Sequence, residues 1–219
     1  MSKKFLEQFF LFQEMNEKEL EEIKKIVTKK VYKKNEIIFL EGDLGDSIYL
    51  VLDGLIKVFR TGSTGREKTL SLLGRGDFFG EMALLDDNFR SASVQAIKSS
   101  QVYIIDKVKF YKVLSDFPQI PLKIIVKLSQ RLRKANNQIK NLTFKSVRDR
   151  LEVVLLELAN RYGERRDEGL LISKKITHQE LGNLVGTTRE SITKLINEMV
   201  EEKKLLVKNR YLILLDFDK

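Results

Sequence analysis

Ile176-Thr-His-Gln-Glu-Leu-Gly-Asn-Leu-Val-Gly-Thr-Thr-Arg-Glu-Ser-Ile-Thr-Lys-Leu-Ile-Asn-Glu-Met199 contains two helix starts and one helix stop. Thr177 and Glu180 have capping-box spacing, in which a hydroxyl and a carboxylate each satisfy an otherwise unpaired amide at a helix start. Gly186 stands where that helix must end and turn, since glycine enters the left-handed conformation without steric cost. Thr188 can cap the next helix. There Ile192, Leu195, Ile196 and Met199 recur at i, i+3, i+4 and i+7, which makes one buried face. Glu190, Thr193, Lys194 and Asn197 fall on the opposite arc, with Arg189 at its shoulder. A helix packed on one side, polar on the other and entered through a tight turn suits a DNA major groove, with its first turn toward the bases.

Working outward, Leu205-Leu-Val-Lys208-Asn209-Arg210-Tyr-Leu-Ile-Leu214 reads as an apolar hairpin with a basic tip, a wing able to reach a phosphate backbone. Upstream, Ser146 and Asp149 have the spacing of a further helix start, followed by an apolar face of Leu151, Val154, Leu155 and Leu158. Arg161–Gly169 reads as a charged loop and Leu170-Leu-Ile as a short strand. Before the boundary at Phe144-Lys145-Ser146, a long helix follows Pro121. In it Ile125, Leu128, Leu132, Ala135, Ile139 and Leu142 alternate at intervals of three and four, flanked by Lys127, Arg131, Arg133, Lys134 and Lys140. That is the a/d seam of a parallel two-helix dimer.

Composition narrows the function classes. The 219 residues contain no cysteine, which excludes disulfides, thiolate zinc sites, iron–sulfur clusters and thiol nucleophiles. A single histidine, His178, speaks against a metal or haem site, and no residue is a candidate for catalysis. No run approaches the roughly 20 apolar residues of a membrane span, so a cytoplasmic location is expected. The net charge of +9 is unevenly spread. Residues 1–115 hold 19 Lys and Arg against 17 Asp and Glu; residues 116–219 hold 21 against 14, so the second half is the one that calls for an anionic partner.

The first half is organised differently. Eight of the twelve glycines precede residue 81 and separate short runs rich in β-branched and aromatic residues, such as Ser47-Ile-Tyr-Leu-Val-Leu and Gln101-Val-Tyr-Ile-Ile. This predicts a β barrel or jelly roll, after a short helix around Asn16–Val27 with Leu20, Ile23 and Ile26 on one face. Within it, Gly74-Arg-Gly-Asp-Phe-Phe-Gly80-Glu81-Met-Ala-Leu-Leu leads to Arg90-Ser91-Ala-Ser-Val. The glycines do not have dinucleotide-loop spacing. A helical turn near Gly80, the Arg90 guanidinium and the Ser91 hydroxyl could still hold an anion. Glu81 would repel that anion, and is useful there if it accepts from a sugar hydroxyl.

These segments resemble the cyclic-nucleotide-binding domain of the cyclic-AMP receptor protein (Crp/Fnr) superfamily, whose phosphate-binding cassette matches Phe79-Gly-Glu-x-Ala-Leu…Arg-Ser-Ala92. Residues 176–199 resemble the helix-turn-helix of the same family, and the likeness spans roughly residues 10–215. It implies an α+β chain: a β jelly-roll ligand domain over 1–120, a dimerisation helix over 121–143 and a winged helix-turn-helix over 146–219. By that resemblance Gly80 and Glu81 bind a ribose 2′-hydroxyl, Arg90 and Ser91 bind a cyclic phosphate, and Met82 lies among the ligand residues. Ala135 and Asn136 stand where the family's namesake reads adenine with a Thr-Ser pair. Ala135 offers no side-chain hydrogen bond, whereas Asn136 offers both a donor and an acceptor. Arg189, Glu190 and Lys194 take base-reading positions beside Thr193, while Thr177, His178, Gln179 and Thr188 face phosphates. Lys194 replaces an arginine, so a TGTGA-like half-site is expected, with weaker discrimination at one base. The implied effector is cyclic AMP, with a different or absent effector left open. The implied partners are double-stranded DNA, a second copy of the chain and, for an activator, RNA polymerase.

Overall fold

Ser-Ile-Tyr-Leu-Val-Leu-Asp lacks polar alternation because the strand it forms is covered on both faces. The computed structural model describes residues 3–215, with side chains from Leu6 onward; residues 1–2 and 216–219, which the expected domain ranges include, lie outside the described residues. Two 3-10 turns (Lys3–Gln8 and Phe10–Phe12) and α1 (Glu17–Ile26) lead into β1 (Thr28–Tyr32), β2 (Ile37–Phe39), β3 (Ser47–Asp53), β4 (Ile56–Thr61), β5 (Glu67–Leu73) and β6 (Phe78–Phe79). A single turn, α2 (Met82–Leu85), precedes β7 (Ser93–Ala96), β8 (Ser100–Asp106), α3 (Lys107–Asp116) and α4 (Gln119–Phe144).

The strands form two four-stranded sheets, ordered β1-β8-β3-β6 and β2-β7-β4-β5. Alternation along β3 sends Tyr49 and Val51 into a core shared with Ile56, Leu73, Val94 and Ala96 of the other sheet. Its Ile48, Leu50 and Leu52 point the opposite way, onto Phe9, Phe12, Leu20, Ile23, Phe110, Ile120 and Ile124 of the surrounding helices. The jelly-roll reading therefore holds, with one sheet as the middle of three layers. The expected helix near Asn16–Val27 is α1, opened by a capping box of Asn16 and Glu19. The long helix begins two residues before Pro121, which sits in the first turn, where its missing N–H costs nothing.

The chain divides into two compact units. The first runs to Thr61 and resumes over Leu70–Arg133; the second comprises Gly62–Thr69 and the chain from Lys134 onward. In the second, α5 (Val147–Tyr162), β9 (Gly163–Arg166), β10 (Gly169–Ile172), α6 (His178–Val185), α7 (Arg189–Glu201), β11 (Leu205–Lys208) and β12 (Tyr211–Leu214) follow in order. Leu151, Leu155 and Leu158 of α5, Leu181 and Val185 of α6, and Ile192, Ile196 and Met199 of α7 are buried with Leu205 and Leu212. The strands pair as β11-β12-β10-β9.

One expectation is corrected here. Arg161–Gly169 is not a loop, because α5 continues to Tyr162 and residues 163–166 pair with β10 as an edge strand. Its four residues are all exposed, as charged edge strands commonly are, which hides the strand from an apolar pattern. The wing closes through Asn209 and Arg210, with φ of 50° and 67°, the conformation a two-residue hairpin turn demands.

Candidate ligand pocket and nucleic-acid interface

The candidate ligand site is built around Gly80. Its φ of +85° favours glycine, and a Cβ there would lie 2.8 Å from Arg90 Nη1 and 3.1 Å from the Ser47 carbonyl. That space lets Arg90 fold inward. Nη1 donates to the Gly80 carbonyl at 2.8 Å, and Nη2 donates to the Ser47 carbonyl at 2.9 Å and Asp46 Oδ1 at 3.2 Å. The guanidinium lies 4.3 Å from the Phe39 ring centroid and 5.7 Å from that of Tyr49, an aromatic seat for a planar cation. Tyr49 stacks on Phe79 at 4.9 Å, and burial pushes its hydroxyl up to about 12. Arg90 is only 3% exposed, and its Nε has no hydrogen-bond partner.

Glu81 is 1% exposed. Burial raises its pKa, against the opposing pull of Arg131 and then Arg90. Arg131 of α4 donates to Glu81 Oε1 and to the Phe78 carbonyl, with its guanidinium 4.9 Å from the Phe78 ring centroid. One turn earlier, Lys127 pairs with Asp77 at 3.1 Å. Glu81 Oε2 has no partner. The cassette thus buries one free acceptor on an acid and one free donor on a guanidinium, a donor set that fits a ligand carrying a hydroxyl and an anionic group.

The remaining cassette residues lie nearer the surface. Ser91 is exposed and its hydroxyl donates to Met82 Sδ at 3.8 Å, while Met82 is itself exposed. Ala135 and Asn136 lie exposed on α4, four and five residues past Arg131, and belong to the second unit. In the sequence Arg131 stands out only as one of the charges flanking the seam. The missed signal was that a buried Glu81 needs a cation, and Arg131 lies 50 residues away.

In the second unit the local signals hold. Thr177 and Glu180 form the capping box of α6, which ends at Gly186 with φ of 82°. Thr188 caps α7, its hydroxyl accepting from the Ser191 amide at 3.2 Å. Ile192, Ile196 and Met199 are buried and Leu195 is half-buried. Arg189, Glu190, Lys194 and Asn197 are exposed together on the outer arc, and Thr193 is half-exposed. Hydrogen bonds from its own backbone amide and from Thr188 hold the Glu190 carboxyl below its usual range, so it presents a charged acceptor. Lys194 stands 3.9 Å from Glu198. At the start of α6, Thr177 and Gln179 are exposed, the latter donating to Asn183 at 3.0 Å. His178 is half-buried, with Nδ1 2.8 Å from Thr193 Oγ1. Among the described residues no helix is long and apolar enough to cross a membrane, and no cluster of acidic residues and histidine could hold a metal ion.

Residues 29–117 match the cyclic nucleotide-binding domain family, and residues 149–219 match the Crp-like helix-turn-helix domain family. The chain is 34% identical over 174 residues to the cyclic AMP receptor protein of Thermus thermophilus, covering 80% of this chain and 77% of that one. A solved CRP/FNR-family regulator from the same species is 29% identical with a TM-score of 0.69, over 86% of this chain and 94% of that one. The c-di-GMP-responsive regulator CLP of Xanthomonas campestris shares the fold with a TM-score of 0.82 at 23% identity, over 91% and 99% of the two chains. With both domains present in this order, and a relative 34% identical over 80% of this chain, the chain belongs to the CRP/FNR family: it is a DNA-binding transcription regulator with a cyclic-nucleotide-binding domain, and not an enzyme.

Proposed function

We propose that cyclic AMP, held in the cassette, gates this regulator, and that as a homodimer it reads a TGTGA-like palindrome through α7. The observation carrying the ligand reading is the pair of buried, unpartnered polar atoms of opposite character, Glu81 Oε2 and Arg90 Nε. A ribose 2′-hydroxyl would donate to the first, and a cyclic phosphate oxygen would accept from the second, with Ser91 adding a hydroxyl donor. Met82 would border the ring. Because Glu81 Oε1 is already engaged by Arg131, the ligand's sugar and α4 would share one carboxylate. Asn136 would read the adenine edge with its amide.

On the DNA side, the exposed arc of Arg189, Glu190, Thr193 and Lys194 supports base reading. Arginine suits the O6/N7 edge of guanine, and a charged glutamate suits the cytosine amino group. Thr177, His178, Gln179 and Thr188 would hold the backbone. Ile125, Leu132, Ala135, Ile139 and Leu142 of the expected seam are all exposed, which supports a second copy as their cover. Ligand would act through its different affinity for two dimer states, with residues 144–146 as the hinge. A cytoplasmic setting, and RNA polymerase as the further partner of an activator, complete the reading.

Ala135 favours a second reading, since it cannot hydrogen-bond a base through its side chain: the same regulator would answer to another small molecule or to none. Titrating cyclic AMP while following binding to a TGTGA palindrome separates the two. A rise in DNA affinity with ligand is expected; unchanged affinity at millimolar cyclic AMP would reject it as the effector.

A further inference from the structure

Within the α7 arc, Thr193 has its hydroxyl engaged by the protein on both its donor and its acceptor side. Its hydroxyl donates to the Arg189 carbonyl one turn back at 3.0 Å, and its oxygen lies 2.8 Å from His178 Nδ1 at the start of α6. A hydroxyl has a single proton. With that proton on the Arg189 carbonyl, His178 must be protonated at Nδ1 and donate to Thr193 Oγ1. The two contacts are mutually consistent, and together they occupy the hydroxyl's donor and one acceptor direction while fixing the side-chain rotamer. Both anchors lie in helices set by their own caps, Thr177 for α6 and Thr188 for α7. Thr193 nonetheless remains half-exposed between Arg189 and Lys194. With its only proton used, it can donate to no base, and the apolar surface it offers a groove is its methyl group.

We propose that His178 is a positioning residue for base readout, and that the pinned Thr193 reads the C5-methyl group of a thymine by apolar contact. This rests on the α7 reading above. A methyl group in a hydrophobic contact discriminates thymine from cytosine and from uracil, which lacks it. The hydroxyl plays no part in that discrimination, and His178 contributes to it only through the rotamer it enforces.

The test uses the full chain with cyclic AMP and duplexes carrying the TGTGA palindrome, each thymine of the half-site replaced in turn by deoxyuridine. Wild-type protein is expected to lose about fourfold in affinity at one thymine of the half-site, the equivalent of one buried methyl group. Thr193→Val keeps a methyl at each branch and should keep the deoxyuridine penalty. Thr193→Ser keeps the hydroxyl and should lose the penalty. His178→Ala should reduce the penalty without changing the helix content seen by circular dichroism. Uniform binding across all deoxyuridine duplexes by the wild type would overturn the proposal, as would a loss of tenfold or more in Thr193→Val, which would put the hydroxyl on a base. Failure of the wild type to bind any duplex would instead overturn the α7 reading on which this one rests.

Discussion

The ligand cassette and the helix-turn-helix hold their functional groups in opposite ways. In the cassette, Glu81 and Arg90 are almost wholly buried, and apart from the Gly80 carbonyl the partners of their side chains, Asp46, Ser47 and Arg131, lie 43 to 50 positions away. In the second unit, Arg189, Glu190 and Lys194 stand exposed, and the helix that carries them is set by a cap only three residues long. The first arrangement stakes stability on the site; the second leaves it almost free of structural duty. Substitutions in the cassette should therefore disturb the fold and the ligand together, whereas those on the α7 arc should disturb DNA binding alone.

The contrast is easiest to break at Arg131. Arg131→Leu leaves Glu81 buried without its cation, and an unfolding free energy lower by about 3 kcal/mol is expected in urea titration. The double substitution with Glu81→Leu should recover most of that loss, and an Arg131→Leu protein as stable as the wild type would show that the pair is not a structural one. Next in size, Arg189→Ala should weaken specific DNA binding by about 2 kcal/mol in a fluorescence titration while leaving the unfolding midpoint unchanged. A shifted midpoint would mean that the arc carries structural weight after all. Thr177→Ala removes the α6 cap and should cost about 1 kcal/mol of stability, leaving the proposed binding of cyclic AMP unchanged. The smallest effect is a slope. Burial raises the Glu81 pKa above its unfolded value, so the folded state keeps a proton the unfolded state has lost. Stability linked to Glu81 is therefore greatest below pH about 4.3 and declines as pH rises from there toward the folded value. Comparing urea midpoints of wild type and Glu81→Gln across that range should show a decline in the wild type that the glutamine variant lacks.

The same contrast explains what could be read in advance. Capping boxes at Ser146 and Thr177, the stop at Gly186 and the buried face of α7 act over three to seven residues, so adjacent letters report them. The cassette's backbone was visible through its glycines, but the inward fold of Arg90 and the Arg131–Glu81 pair were not, because no local pattern links residues 50 apart. The charged strands β1 and β9 also escaped. β1 (Thr-Lys-Lys-Val-Tyr) buries only Tyr32, and β9 (Gly-Glu-Arg-Arg) buries nothing. Both are edge strands, where charge protects an open backbone and erases the alternation that betrays inner strands. α3 went unread for a related reason: among its ten residues only Phe110 and Val113 are buried.

One detail of α4 bears on how two copies could meet. Leu128 is packed against its own β-domain, and Ala135 offers a single methyl group, so the row of 128, 135 and 142 is weak at two of its three rungs. Ile125, Leu132 and Ile139 form the other row at intervals of seven, each more than half exposed. A companion helix would thus find one ridge to lean on instead of a two-sided groove. Two single ridges in contact behave more like an axle than a clamp, and an axle lets what is mounted on it turn.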